Sequence, residues 1–114
     1  MLSRRISMTA IALAALALAF AACAAQAQSP RAAEDYHKRG LALGQRGEFD
    51  RAIAEFDIAI ELNPHLADAW CNRGIAYNSI GDPDRAMADF SQAIALDPRH
   101  STAHYNRGVI FQSQ

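Results

Sequence analysis

Downstream of residue 32 the apolar positions fall at helical spacing, and each helix-sized block is closed by turn-forming residues. Trp70, Gly74 and Tyr77 lie four and three residues apart, which puts them on one face of a helix. Ala86, Met87, Phe90, Ala93 and Ile94 make the apolar stripe of a second helix. Between the two stands Gly81-Asp82-Pro83. A glycine can enter the left-handed region that ends a helix, aspartate is a good N-cap, and proline suits the first helical turn. Asp97-Pro98 disfavours helix at Asp97 and predicts an end near Leu96. The unit is a helix-turn-helix hairpin.

That unit recurs every 34 residues. Pro64 aligned with Pro98 sets Tyr36 on Trp70, Arg39-Gly40 on Arg73-Gly74, Leu43 on Tyr77 and Gly47 on Gly81. Asp50-Arg51-Ala52 then falls on Asp84-Arg85-Ala86, Phe56 on Phe90, Ala59-Ile60 on Ala93-Ile94, and Leu62 on Leu96. A third copy opens with His104, Arg107-Gly108 and Phe111. A fixed period of this length predicts an all-α repeat array in which each unit buries its apolar face against its neighbours. The expected organisation is a short linker at 28–32, one unit at 33–66, a second at 67–100 and a partial third at 101–114, serving as first helix or cap.

Trp70-x2-Arg73-Gly74-x2-Tyr77, followed by Ala86-x3-Phe90-x2-Ala93 and Pro98, resembles the tetratricopeptide repeat. Tyr36, Gly40, Leu43, Ala52, Phe56, Ala59 and Pro64 carry the same resemblance in the first unit. The resemblance implies an alpha-alpha superhelix of about two and a half repeats and a protein-interaction scaffold. Arg39, Arg73 and Arg107 stand where the motif's leucine is usual, a departure read as leaving the fold unchanged. Family members that grip a partner's C-terminal carboxylate use lysines, asparagines and an arginine on the first helices. Only Asn72 matches that clamp, since His37, Leu41, Thr102 and Asn106 occupy its other positions, so chaperone-tail binding is not expected.

First helices of stacked hairpins line one side of the array, and their residues turned away from the partner helix face a groove. These are His37, Lys38, Leu41 and Gln45 in the first unit, Cys71, Asn72, Ile75 and Asn78 in the second, and Tyr105, Asn106, Val109 and Gln112 in the third. Asn72 and Asn106 share a column, and carboxamides hydrogen-bond an extended backbone as donor and acceptor. A protein or peptide partner is therefore expected there, against the plainer alternative of a solvated helix face.

Residues 1–27 follow different rules. Arg4 and Arg5 precede an uncharged Ala/Leu-rich run from Ile11 to Ala22, and Ala25-Gln26-Ala27 offers small residues at the two positions a signal peptidase reads. The run is shorter than the roughly 20 residues of a membrane span. A cleaved signal peptide and export, to a bacterial periplasm, are expected. Phe20-Ala21-Ala22-Cys23 resembles a lipobox, which makes a lipoprotein anchored at Cys23 the alternative and the one route to a membrane.

Removing the segment takes the formal charge from −1 to −3 and leaves Cys71 as the one thiol, so no internal disulfide forms. With Lys38 the one lysine and the arginines scattered among acids, no nucleic-acid partner is expected. His100 and His104 share a helix-face spacing without a further ligand nearby, and Cys71 with His37 lacks an oxyanion site, so neither a metal nor a nucleophile is assigned. No phosphate loop or nucleophile elbow occurs. The expectation is a non-enzyme without cofactors. Val109, Ile110 and Phe111 want a partner helix, which makes self-association through 101–114 the alternative to groove binding. Mass spectrometry of exported protein should find Gln28 at the N-terminus; a diacylated species beginning at Cys23 would establish the lipoprotein instead.

Overall fold

The computed structural model describes Ser29 and residues 31–114. Segment 1–27, with its cleavage and Cys23 alternatives, lies outside the described residues. Five helices follow one another: α1 (Ala32–Gln45), α2 (Phe49–Leu62), α3 (Ala67–Ser79), α4 (Pro83–Leu96) and α5 (Ser101–Ser113). The first begins at Ala32, inside the segment expected to be linker. Among the described residues there is no strand, and no helix is long and apolar enough to cross a membrane.

The turns form as their residues dictate. Gly47 and Gly81 take φ of 77° and 84°, the left-handed values that end α1 and α3. Asp82 caps α4 by accepting from the Arg85 amide, with Pro83 in the first turn. After α2 and α4 the chain extends through Asn63 and Asp97, each before a proline. Trp70 Nε1 donates to the Pro64 carbonyl at 2.9 Å, and His104 Nε2 does the same to Pro98 at 2.9 Å. At Trp70 and His104 the ring N–H thus closes the junction that precedes the helix, in addition to the ring's packing.

Packing pairs α1 with α2 and α3 with α4; α2 then meets α3, and α4 meets α5. Within each hairpin a phenylalanine ring lies directly on a glycine. A Cβ built at Gly40 would come 2.5 Å from the Phe56 ring, and one at Gly74 would come 2.8 Å from Phe90. Ala52 and Ala86 are wholly buried beside these rings. The remaining core alternates across hairpins, with Ala59, Ile60 and Ala69 between α2 and α3 and Phe90, Ala103 and Ile110 between α4 and α5. Ile110 was expected to lack a partner; it is 3% exposed because α5 turns it onto this core.

The arginine in the leucine column changes how the hairpins are joined. Arg73 forks onto Asp89 of α4 through Nε and Nη2, both at 2.8 Å, and reaches Asp57 of α2 through Nη1 at 2.8 Å. Its guanidinium also lies 4.9 Å from the Trp70 ring centre. The hydrogen bonds to Asp89 raise its affinity for its proton further, so it stays charged. Asp89 is only 3% exposed, and Arg73 is its ion-pair partner. Arg39, in the same column, lies over Tyr36 at 4.9 Å, and Oε2 of Glu55, the acid 16 residues on, is buried without a hydrogen-bond partner.

Urea melts should show Phe56→Ala or Phe90→Ala destabilised by about 3–5 kcal/mol, since each removes a ring from a closed contact. Arg73→Met should cost about 3 kcal/mol by stranding Asp89, and adding Asp89→Leu should recover much of that loss. Additive losses in the double variant would show that the pair is not coupled.

Candidate functional site

The first helices form one row, with α1 touching α3 and α3 touching α5. A cleft of about 190 Å³ opens between α1 and α3, lined by Gly40, Leu41, Gly44 and Gln45 from α1 and Asn72, Ile75 and Ala76 from α3. Phe49 and Phe56 of α2 close its base. Four of the expected groove residues, Leu41, Gln45, Asn72 and Ile75, are brought together here. Gly40 and Gly44 keep the α1 side low, and Leu41 remains 37% exposed at the rim. The wall is apolar, with two carboxamides at its edge.

Asn72 is not a free carboxamide. Its Nδ2 donates to His37 Nε2 at 2.8 Å, tying α3 to α1 across the row. His37 therefore accepts at Nε2 and carries its proton on Nδ1. Burial holds this imidazole below its ordinary value, against the opposing pull of Asp68 and Glu34. Its ring also meets Phe56 at 5.8 Å, so the pair joins the cleft edge to the core.

Cys71 requires a correction. It was expected to face the groove, but it is 1% exposed and packs with Phe90, Ala103 and Ile110. The reason is the stacking of α5 on this side of α3, which packs Ala103 and Ile110 over the thiol, whereas α3 meets the half-buried His37 with the polar Asn72. Burial, with Asp68 nearby, pushes the thiol up to about 11, so it stays protonated at neutral pH.

The third unit contributes differently. Asn106 spends its Nδ2 on the Thr102 carbonyl of its own helix at 2.9 Å, while Tyr105 is 72% exposed. Val109 and Gln112 are exposed, as are Lys38 and Asn78, and none of these lines the cleft. His100, considered above with His104, caps α5 by accepting from the Ala103 amide at Nδ1 and donates to Asp68 at 2.7 Å. The two histidines face different partners. Among the described residues no three His, Cys, Asp or Glu side chains gather as a ligand set. Phe49 at the base of the cleft and Gly44 on its α1 side were not anticipated, because both lie outside the aligned motif columns.

A model of the tetratricopeptide repeat matches residues 67–100, and a TPR repeat model matches 40–81, so that together they span more than half of the chain. Among solved structures the chain is similar to MamA, described as a crystal structure of that protein, at 31% identity and a TM-score of 0.69. The match covers 71% of this chain and 47% of the other, so this chain spans about half the length of MamA. No curated protein matches the sequence.

Two measurements check the site's geometry. In a chain starting at Gln28, Cys71 should react with a thiol reagent at pH 8 only after unfolding in urea; rapid stoichiometric reaction in buffer would place it on the surface. For His37 the folded value lies below the unfolded one, which is about 6.5. Its contribution is then complete above that pH and is lost as pH falls below it. The drop in urea midpoint between pH 7.5 and 5.5 should be smaller in His37→Gln; an identical drop would remove His37 from the cause.

Proposed function

Because the chain belongs to the tetratricopeptide repeat family, we propose that it is an exported protein-interaction scaffold that holds a segment of a partner protein along its first helices. Repeats of this kind serve protein–protein interaction, and the family is typically non-catalytic. The observation that carries the finer reading is the cleft between α1 and α3, with Leu41 and Ile75 on its walls and Phe49 and Phe56 at its base. An apolar side chain of the partner enters it, while Gln45 and Asn72 at the edge meet the partner's backbone. Asn72 can do so through its carbonyl oxygen while its amide stays on His37. The signal-like layout of residues 1–27 supports export to the periplasm, with anchoring through Cys23 as the lipidated alternative. Self-association through 101–114 concerns the face of α5 and not this cleft.

So small a contact implies affinity in the micromolar range, about −8 kcal/mol or weaker. A photo-crosslinking residue at Ile75 should capture a discrete partner from periplasmic extract, and the same residue at exposed Gln92 of α4 should not. Leu41→Glu, with its helical circular dichroism unchanged, should abolish the adduct. Equal capture from both positions, or capture indifferent to Leu41→Glu, would move the binding site off this row.

A further inference from the structure

The cleft between α1 and α3 lies between two complete hairpins and takes its walls from both. Its volume of about 190 Å³ exceeds the roughly 150 Å³ in which an apolar cavity holds benzene. Leu41, Ile75, Phe49 and Phe56 give it the lining of such a cavity. On the α1 side the wall stays low at Gly44, where among the described residues nothing lies within 4 Å of a built Cβ. A flat bicyclic ring fills that space, and an aliphatic side chain leaves part of it empty.

One polar group is fixed at the edge. The Asn72 amide donates to His37 Nε2, which leaves Oδ1 as the end of this carboxamide that can take a further partner. Among the described residues Oδ1 makes no hydrogen bond, and the buried side-chain atom without one is Glu55 Oε2, so Asn72 Oδ1 is open. A carboxamide able to turn would offer either end. The neutral imidazole accepts at Nε2 and so selects the acceptor end for the cleft. Once protonated, the ring donates at both nitrogens, and Asn72 must turn Oδ1 to it and its amide to the cleft. Charge reaches this ring from Asp68 of α3 and Glu34 of α1, and α2 presents the uncharged Phe56 ring.

We propose, on the premise that this cleft is the binding site, that it takes a tryptophan side chain of the partner segment, with the indole between Leu41 and Ile75 and its N–H on Asn72 Oδ1, and that His37 is the positioning residue that sets this preference. Phenylalanine brings no donor. A tyrosine hydroxyl both donates and accepts, so either orientation of Asn72 serves it, whereas an indole donates only. Oδ1 has two lone pairs and takes the indole N–H together with a backbone N–H of the segment.

The probes are indole and N-methylindole, similar rings of which only the first carries an N–H. Each is titrated into the purified, isotope-labelled chain while the amide and histidine-ring shifts are followed by NMR. At pH 7.5 both should move Gly44 and Ile75 saturably, with indole about fivefold tighter, the worth of one neutral hydrogen bond. Burial holds His37 below its ordinary value, so it is neutral at that pH. The preference for indole should disappear as pH falls through the His37 midpoint. Saturating indole should move that midpoint lower, and N-methylindole should leave it unchanged. His37→Gln, whose carbonyl accepts from Asn72 at any pH, should keep the preference and remove its pH dependence. That variant also separates His37 from His100, which is bonded to Asp68. Asn72→Leu should abolish the preference. Equal affinity of the two rings at pH 7.5, or a preference indifferent to His37 protonation, would overturn the assignment while leaving the cleft as a binding site. If neither ring moves these amides, the cleft falls as the site and the assignment falls with it.

Discussion

A phenylalanine ring resting on a glycine sets the distance between the two helices of each hairpin, and the other contacts are arranged around that distance. With a Cβ at Gly74 the Phe90 ring would be met at 2.8 Å and the Ala86 carbonyl at 3.2 Å, so the ring, the glycine and the alanine form one closed contact. The same geometry holds at Gly40 and Phe56. Close approach brings Asp89 within reach of Arg73, and the ion pair then ties the second hairpin to Asp57 of the first. The hydrophobic contact sets the spacing, and the charged fork links one hairpin to the next. Such an array is stabilised by contacts between neighbouring units.

Much of this architecture is legible in the chain. Gly81-Asp82-Pro83 gives the turn and cap, the 34-residue period gives the hairpins, and Phe90 with Ala86 and Ala93 gives the inward stripe. These features depend on local conformation and on contacts within one unit, which a repeating pattern records. The arginines also repeat, but what Arg73 does depends on Asp57 and Asp89, placed 16 residues before and after it. That spacing becomes meaningful only when three helices are stacked.

The groove residues were partly legible for the same reason. Leu41, Gln45, Asn72 and Ile75 converge because helical spacing alone turns them from their partner helices. Cys71 does not join them, since α5 covers it from the next unit. His37, one period earlier, is met from the next unit by Asn72 of α3 and stays half-buried. Equivalent columns thus acquire different roles according to their place in the row. Phe49 reached the cleft unannounced because it precedes the aligned stripe of α2.

Completeness of each hairpin is the central claim, and native-state hydrogen exchange reads it residue by residue. Amides in the middle of α3 and α4, covered on both sides, should exchange only with global unfolding. Those of α5, whose His104–Phe111 face is uncovered, should exchange through a smaller opening of lower free energy. Equal protection across α3, α4 and α5 would contradict the account, because α5 would then be as fully covered as the helices before it.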